Sequence, residues 1–128
     1  MGRLYHVWFS TKGRKEALEG ELGENAKQLL VETTRRTGIR LLGLETVAGH
    51  VHLLVEVTQG QTLSSVMHQL KGATARFLFL KYPELKLDIG HNSFWQKGYG
   101  WRAVAQNEVP AIRRYIRTQR DRPLRRGY

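Results

Sequence analysis

The sequence contains no cysteine, so disulfide bonds and zinc–thiolate sites are excluded, and the chain suits a reducing cytoplasm. Long hydrophobic runs are also missing: stretches such as residues 77–80 fall far short of the roughly 20 apolar residues that a membrane span needs. The first residues lack the apolar core of a signal peptide and lead directly into strand-like sequence. These absences predict a cytoplasmic protein with no membrane partner.

Acidic residues are scarce: eleven Asp and Glu face 21 Lys and Arg, which gives a formal net charge of +10. The surplus is concentrated in residues 113–128, which hold seven arginines and one acid, Asp121. Such a surplus attracts polyanions, and phosphate contacts supply most non-specific affinity for nucleic acid. A basic tail can also serve solubility or bind an acidic membrane surface. No apolar face accompanies this one, which favours nucleic acid.

No internal repeat, low-complexity tract or linker rich in proline and glycine interrupts the chain, so we predict one domain, residues 1–128. Apolar residues that alternate predict strands, and apolar residues spaced by three and four predict helices. The predicted elements are a strand over 4–11, a helix over 23–37, strands over 39–48 and 50–58, a helix over 62–82, a strand over 94–105 and a helix over 107–120.

Local signals mark the ends of these elements. Gly38 suits the end of the first helix, and Gly49 suits a tight turn between the second and third strands. Thr62 and Asn107 are candidate caps for the later helices, and Pro83 stops the first of those two. The order predicts an α+β fold of the ferredoxin-like βαββαβ type, an antiparallel sheet with an added C-terminal helix. Many unrelated functions share that plan.

The third strand begins with His50-Val51-His52. Because successive strand residues point to opposite faces, the two histidines share one face, and the apolar residues that alternate with them form a stripe on the other. Two imidazoles at this spacing can bind one cation. Taken alone, His-x-His is more often two polar residues on a half-exposed strand.

The last helix carries Tyr115 and Gln119, which a spacing of four places on one side of a helix. Tyr115 lies at the border of the apolar stripe, where a side chain is held by packing and remains reachable. Taken alone, this pattern is more simply explained by a tyrosine at the edge of an amphipathic helix whose hydroxyl contacts water. A cation site, a hydroxyl nucleophile and an arginine-rich surface are together the parts needed to cut a phosphodiester.

Four segments, in this order, resemble the HUH single-tyrosine transposases of the insertion-sequence-200 type. They are residues 49–56 (GHVHLLVE), 68–77 (HQLKGATARF), 94–100 (FWQKGYG) and 114–119 (RYIRTQ). The resemblance spans nearly the whole chain, and the four segments in series are far more specific than His-x-His.

The resemblance implies an enzyme that nicks and rejoins single-stranded DNA during transposition. It implies that His50, His52 and Gln119 bind Mg²⁺ or Mn²⁺ and that Tyr115 is the nucleophile that becomes linked to DNA. It further implies single-stranded DNA with hairpin ends as the partner, a homodimer in which the tyrosine helix can serve the other subunit, and no nucleotide cofactor.

Basic side chains on and near the helices are candidate phosphate contacts, although solvated surface charge is the alternative for each of them. They are Lys71, Arg76, Lys97, Arg113, Arg114 and Arg117. Trp95, Tyr99 and Trp101 could stack on unpaired bases, but aromatic residues at such spacing more often belong to a core or a dimer surface.

Two other functions are compatible with parts of the sequence. A catalytically silent or domesticated nucleic-acid-binding module of ferredoxin-like fold would need none of His50, His52, Tyr115 and Gln119, yet the chain has all four. A metal-binding sensor would leave the arginine surplus unexplained. The sequence therefore favours the transposase.

Overall fold

The computed structural model describes residues 2–89 and 93–119. The basic tail expected from the sequence falls largely on residues 120–128, which lie outside the described residues. Within the two described ranges, no helix is long and apolar enough to cross a membrane.

Strands and helices follow one another in the predicted order, with one short helix, α3, that the sequence did not predict. The strands are β1 (Arg3–Ser10), β2 (Arg40–Val47), β3 (His50–Val57) and β4 (Gly100–Val104). The helices are α1 (Gly20–Thr37), α2 (Leu63–Lys81), α3 (Leu85–Asp88) and α4 (Val109–Arg117). Short 3-10 turns at Lys12–Arg14 and Gln106–Glu108 follow β1 and precede α4.

The strands form one sheet in the order β2-β3-β1-β4, and every neighbouring pair is antiparallel. This is the ferredoxin-like α+β fold with an added C-terminal helix, as predicted. In the register of the two central strands, Trp8 lies opposite His52 and His6 lies opposite Leu54. His6 and His52 are therefore diagonal neighbours on one face of the sheet.

The two faces of the sheet bury two different cores. The larger core lies under α1 and α2, and the alternate residues of β3 that were predicted to be apolar point into it. The opposite face carries a smaller core, against which α4 packs. The buried residues of the smaller core are Leu4, Leu54, Val104 and Ile116.

Several of the predicted end signals are confirmed. The Thr62 side chain accepts a hydrogen bond from the backbone N–H of Ser65 at 3.0 Å, which caps α2. Gly38 ends α1 with a φ of 74°, in the left-handed region. The turn between β2 and β3 is tight, as expected around Gly49, and its positive φ of 50° falls on Ala48.

The fourth strand is shorter than the strand predicted over residues 94–105. Phe94 and Trp95 belong to the larger core, outside any long strand, and Gly98 has a φ of 85°. Because an extended strand cannot pass through that backbone conformation, β4 begins only at Gly100.

Asn107 does not cap α4, which corrects the prediction for the start of this helix. It lies inside the 3-10 turn, where the Glu108 carboxylate accepts a hydrogen bond from the backbone N–H of Ala105 at 2.9 Å. Pro110 occupies the first turn of α4, as predicted. The helix ends at Arg117, earlier than the predicted end near residue 120.

Candidate active site

Three histidines project from neighbouring strands on the sheet face that carries α4. His6 comes from β1, and His50 and His52 come from β3. All three are buried, with exposed fractions of 6%, 6% and 1% in that order. The alternation of strand residues brings them to the same face, and the Tyr115 ring of α4 packs against His6 and His52.

The position of α4 is set by its apolar side. Ile116 is buried in the smaller core, and Val109 and Ile112 pack at its edge. Ile116 lies over Gly43 of β2, where an added Cβ atom would stand 3.7 Å from its Cδ1 atom. This packing leaves Tyr115 half-buried at the border of the apolar stripe, where the sequence predicted it.

Tyr115 lies against two of the histidines. Its ring centroid is 5.8 Å from that of His6 and 6.2 Å from that of His52, with both imidazoles nearly perpendicular to it. The planes of the two imidazoles are inclined by 28°, and His6 Nε2 lies 3.3 Å from His52 Nδ1. The phenol ring and the two imidazoles therefore form one packed cluster.

Gln119 lies beyond the end of α4 and is hydrogen-bonded to the backbone of Tyr115. Its side chain is buried, and its Nε2 atom donates a hydrogen bond to the backbone oxygen of Tyr115 at 3.0 Å. That bond links the amide to the helical turn that carries the tyrosine. The structure thus keeps the predicted proximity of Tyr115 and Gln119, although α4 itself ends before Gln119.

Burial controls the charge of the histidines. Burial, together with the neighbouring His6 and His50, lowers the pKa of His52 to about 4. Burial and the nearby Arg102 lower the pKa of His6 to about 4. Both rings are therefore neutral at physiological pH, which makes them good metal ligands and poor general bases.

Two residues of this site were missed by the sequence analysis. His6 could have been found from the alternation in β1, because Tyr5 and Val7 point into the larger core and leave His6 on the other face. Arg102 is paired with His6 in the register of β4 against β1 and forms an ion pair with Glu108 at 3.5 Å. No local pattern marks it, since its position depends on strand pairing.

Comparison with known proteins identifies the family. Residues 2–119 match the family described as "Transposase IS200 like". The chain belongs to this transposase family. It is 32% identical over 118 residues to the ISDra2 transposase TnpA of Deinococcus radiodurans, an alignment that covers 92% of this chain and 84% of that one. It is 31% identical over 115 residues to the IS200 transposase of Salmonella typhimurium, over 90% of this chain and 75% of that one.

Solved structures agree with this assignment. The crystal structure of a candidate transposase from Deinococcus radiodurans superposes with a TM-score of 0.76 at 29% identity, covering 93% of this chain and 92% of that one. The REP-associated tyrosine transposase bound to a REP hairpin superposes with a TM-score of 0.66 at 13% identity, covering 91% and 66%. The second likeness shows a shared fold.

The basic residues predicted to contact DNA have different surroundings in this transposase. Lys71 is half-buried and donates hydrogen bonds to the backbone oxygens of Gln96 and Gly98, at 2.9 and 2.6 Å, and burial lowers its pKa. It therefore fastens the segment before β4 to α2. The other five side chains are exposed: Arg76, Lys97, Arg113, Arg114 and Arg117.

The three aromatic residues near β4 also differ from one another. Trp95 is buried, and its indole N–H donates to the Thr74 hydroxyl at 3.0 Å, so it belongs to the core. Tyr99 is partly buried against the same core. Trp101 is 54% exposed and packs edge-to-face on Tyr5. Of the three, Trp101 has the most exposed side chain.

Proposed function

We propose that this transposase-family chain is a metal-dependent single-strand DNA endonuclease and strand transferase, with Tyr115 as the nucleophile. The packing of the Tyr115 ring against the buried imidazoles of His6 and His52 is the observation that carries the proposal. A phosphoryl-transfer site of this kind needs a nucleophile and ligands for a metal ion. The half-buried phenol would be the nucleophile, and the neutral imidazoles and the amide would supply ligands.

The chemistry proposed for Tyr115 is a transesterification. Its hydroxyl oxygen forms a bond to the scissile phosphorus, and the bond from phosphorus to one sugar oxygen breaks. The phenol loses its proton, and the departing sugar oxygen gains one and becomes a hydroxyl end. Because the phosphoester is conserved in the link to tyrosine, the reverse reaction with another hydroxyl end rejoins DNA without a nucleotide cofactor.

The donor set suits a divalent cation, Mg²⁺ or Mn²⁺. Among the described residues, no group of three or more His, Cys, Asp or Glu is arranged to hold a metal ion. A site here would combine the imidazoles of His50 and His52, which favour Mn²⁺ over Mg²⁺, with the amide oxygen of Gln119, which suits either ion. When bound, the cation would polarise the scissile phosphate and offset its developing charge.

The proposed substrate is single-stranded DNA with hairpin ends. Exposed Arg113, Arg114 and Arg117 lie on the same helix as Tyr115, where they could grip phosphates on either side of the scissile one. The relative of the same fold that is described as bound to a REP hairpin supports a hairpin ligand. Single-stranded hairpins should outcompete blunt duplex of the same sequence, and binding should weaken steeply with salt.

A homodimer is part of the proposal, because moving an element requires two cuts and one chain has one Tyr115. In the part of the chain that the structure describes, β2 and β4 are the outer strands of the sheet, and two copies could join through either of them. Two subunits would then hold both DNA ends together.

The decisive experiment is detection of the covalent link. The protein is incubated with candidate hairpin DNA and Mn²⁺, and the adduct is sought on a denaturing gel. Tyr115→Phe removes one oxygen and should abolish the adduct while fold and hairpin binding persist. The matched control is Tyr82→Phe, which removes the hydroxyl that is hydrogen-bonded to Asn25 at the end of α2. An undiminished adduct from Tyr115→Phe would overturn the assignment of the nucleophile.

The alternative is a catalytically silent or domesticated nucleic-acid-binding module. It predicts hairpin binding with no adduct in either Mg²⁺ or Mn²⁺, for the unmodified protein and for Tyr115→Phe alike. The two functions are thus separated by the same gel.

A further inference from the structure

We infer that His6 is a positioning residue for His52: its Nε2 atom accepts a hydrogen bond from His52 Nδ1–H and so fixes the tautomer in which His52 Nε2 binds the metal ion. This role rests on the proposed function, because it matters only if His52 is a ligand. It goes beyond that function by giving a task to a residue of β1 that lies outside all four family-like segments.

The contact between the two rings is specific in geometry. His6 Nε2 and His52 Nδ1 are 3.3 Å apart, and the ring centroids are 5.5 Å apart with planes inclined by 28°. The pair is buried, so water competes little for either nitrogen. The register of β1 against β3 makes the two residues diagonal neighbours, which fixes this approach in the backbone.

The contact with His6 determines which nitrogen of the His52 imidazole carries the proton. A neutral imidazole carries its proton on one nitrogen and a lone pair on the other. Because Nδ1 of His52 faces His6, the atom that could bind a metal ion is Nε2, and its lone pair is available only when the proton sits on Nδ1. Ligating histidines usually donate their second N–H to a neighbouring acceptor in this way. His6 would be that acceptor, with its own proton on Nδ1.

His6 itself is held on several sides. Its ring lies 5.0 Å from the Trp8 ring and 5.8 Å from the Tyr115 ring, measured between centroids. An acceptor fixed by packing loses little side-chain entropy when it forms the bond. His6 is thus suited to orient His52 and to couple it to the helix that carries the nucleophile.

Direct ligation of the metal by His6 is the competing role. Among the described residues, no three or more of His, Cys, Asp and Glu are grouped so as to hold one metal ion, and His6 Nε2 lies against His52 Nδ1. The facing nitrogens of His6 and His52 are instead at the distance of a long hydrogen bond.

The first test measures metal affinity without any DNA. The affinity for Mn²⁺ is followed by electron paramagnetic resonance of the unbound ion, for the unmodified protein and three variants. His6→Leu keeps the volume and removes the acceptor, and should weaken Mn²⁺ binding by about 10- to 100-fold. His6→Gln restores an acceptor oxygen and should recover most of that loss. His68→Leu removes an exposed histidine of α2 and should change nothing.

The second test reads the tautomer of the unmodified, metal-free protein by long-range ¹H–¹⁵N NMR, so it does not depend on any variant folding. His52 should carry its proton on Nδ1, and addition of Zn²⁺ as a diamagnetic probe should shift Nε2 of His52 and leave Nε2 of His6 without the shift of a bound nitrogen. A proton on Nε2 of His52, or metal binding by Nε2 of His6, would overturn the inference.

The outcomes separate this role from the proposed function. If Mn²⁺ affinity depends on His6 as stated but no hairpin yields an adduct, the proposed function fails and the positioning role stands as a property of a metal site. If the adduct forms and folded His6→Leu binds Mn²⁺ as tightly as the unmodified protein, the positioning role fails alone.

Discussion

The side chain of Gln119 donates a hydrogen bond to the backbone oxygen of Tyr115 at 3.0 Å. This bond gives Gln119 a structural task besides its proposed ligation of the metal. The same carbonyl, in the last turn of α4, also accepts a hydrogen bond from the Thr118 hydroxyl at 3.2 Å. The two tasks can be separated, because the first uses the amide nitrogen and the second would use the amide oxygen.

Gln119→Glu keeps the oxygen and loses the donor, whereas Gln119→Leu loses both. We expect each variant to lower the free energy of unfolding by about 1 kcal/mol through the lost hydrogen bond. Only Gln119→Leu should also weaken Mn²⁺ binding, by about tenfold or more. Urea unfolding and Mn²⁺ titration check the two effects. Equal Mn²⁺ affinity in both variants would remove Gln119 from the ligand set.

The buried histidines make stability depend on pH. The pKa values of His6 and His52 are about 4 in the folded chain, below the ordinary value of 6.5. The unfolded chain therefore binds more protons between these values, and stability falls as pH drops through 6.5 towards 4 and levels off below. Each ring should contribute a loss of roughly 2 kcal/mol between pH 7 and pH 5, so the two together lose at most about 4 kcal/mol, in a range where carboxylates barely titrate.

This pH effect is measured by urea unfolding at a series of pH values. His6→Gln, which cannot be protonated, should show a smaller loss over the same range. A free energy of unfolding that is flat from pH 7 to pH 5 would contradict neutral burial of the two rings. The same low pKa predicts that metal binding by His52 persists below pH 6.5, where an unperturbed histidine would begin to lose it.

Lys71 and Arg76 should behave differently although both were predicted to contact DNA. Lys71→Met removes the hydrogen bonds to Gln96 and Gly98 and should destabilise the fold by about 1–2 kcal/mol. Arg76→Met changes an exposed side chain and should stay within about 0.5 kcal/mol. If Arg76 does contact a phosphate, its variant should reduce the salt dependence of hairpin binding by about 0.7 in log–log slope.

Gly100, the first residue of β4, lies so close to the Trp8 side chain that only glycine fits there. A Cβ atom added at Gly100 would overlap the indole ring of Trp8, which flanks His6. Gly100→Ala must displace that ring and should cost about 1–3 kcal/mol. The control is Gly72→Ala in α2, where an added Cβ meets nothing and should stabilise the helix by about 0.5–1 kcal/mol. Chemical denaturation of both variants checks the difference in sign.

The proposed dimer makes a prediction about which chain supplies the tyrosine. Tyr115 lies beside His6 and His52 of its own chain, so we expect each site to form within one subunit. Mixing the inactive double variants His50→Ala/His52→Ala and Tyr115→Phe/Gln119→Ala should then restore no adduct. Recovery of activity would show that α4 crosses between subunits, since one site of the mixed dimer would regain all four residues. A monomer by light scattering, with and without DNA, would end the dimer proposal.

The sequence by itself determined what depends on near neighbours in the chain. The period of the apolar residues in β3 assigned one face to the core and the other to His50 and His52, and Thr62 and Gly38 marked helix ends through hydrogen bonds that span a few residues. Those signals are local, so the order of elements and the ferredoxin-like plan could be predicted from them. Tyr115 and Gln119 are also neighbours, as their spacing predicted, although α4 ends before Gln119.

Only the tertiary structure decided which residues from distant segments meet. His6 reaches His52 through the pairing of β1 with β3, and Lys71 finds its acceptors on the segment before β4, at separations of 46 and 25–27 residues. The strand expected over 94–105 is interrupted: Trp95 pairs with Thr11 in an isolated bridge, and Gly98, with a φ of 85°, delays β4 until Gly100. Contacts of this kind depend on register and packing, which no short stretch of sequence contains.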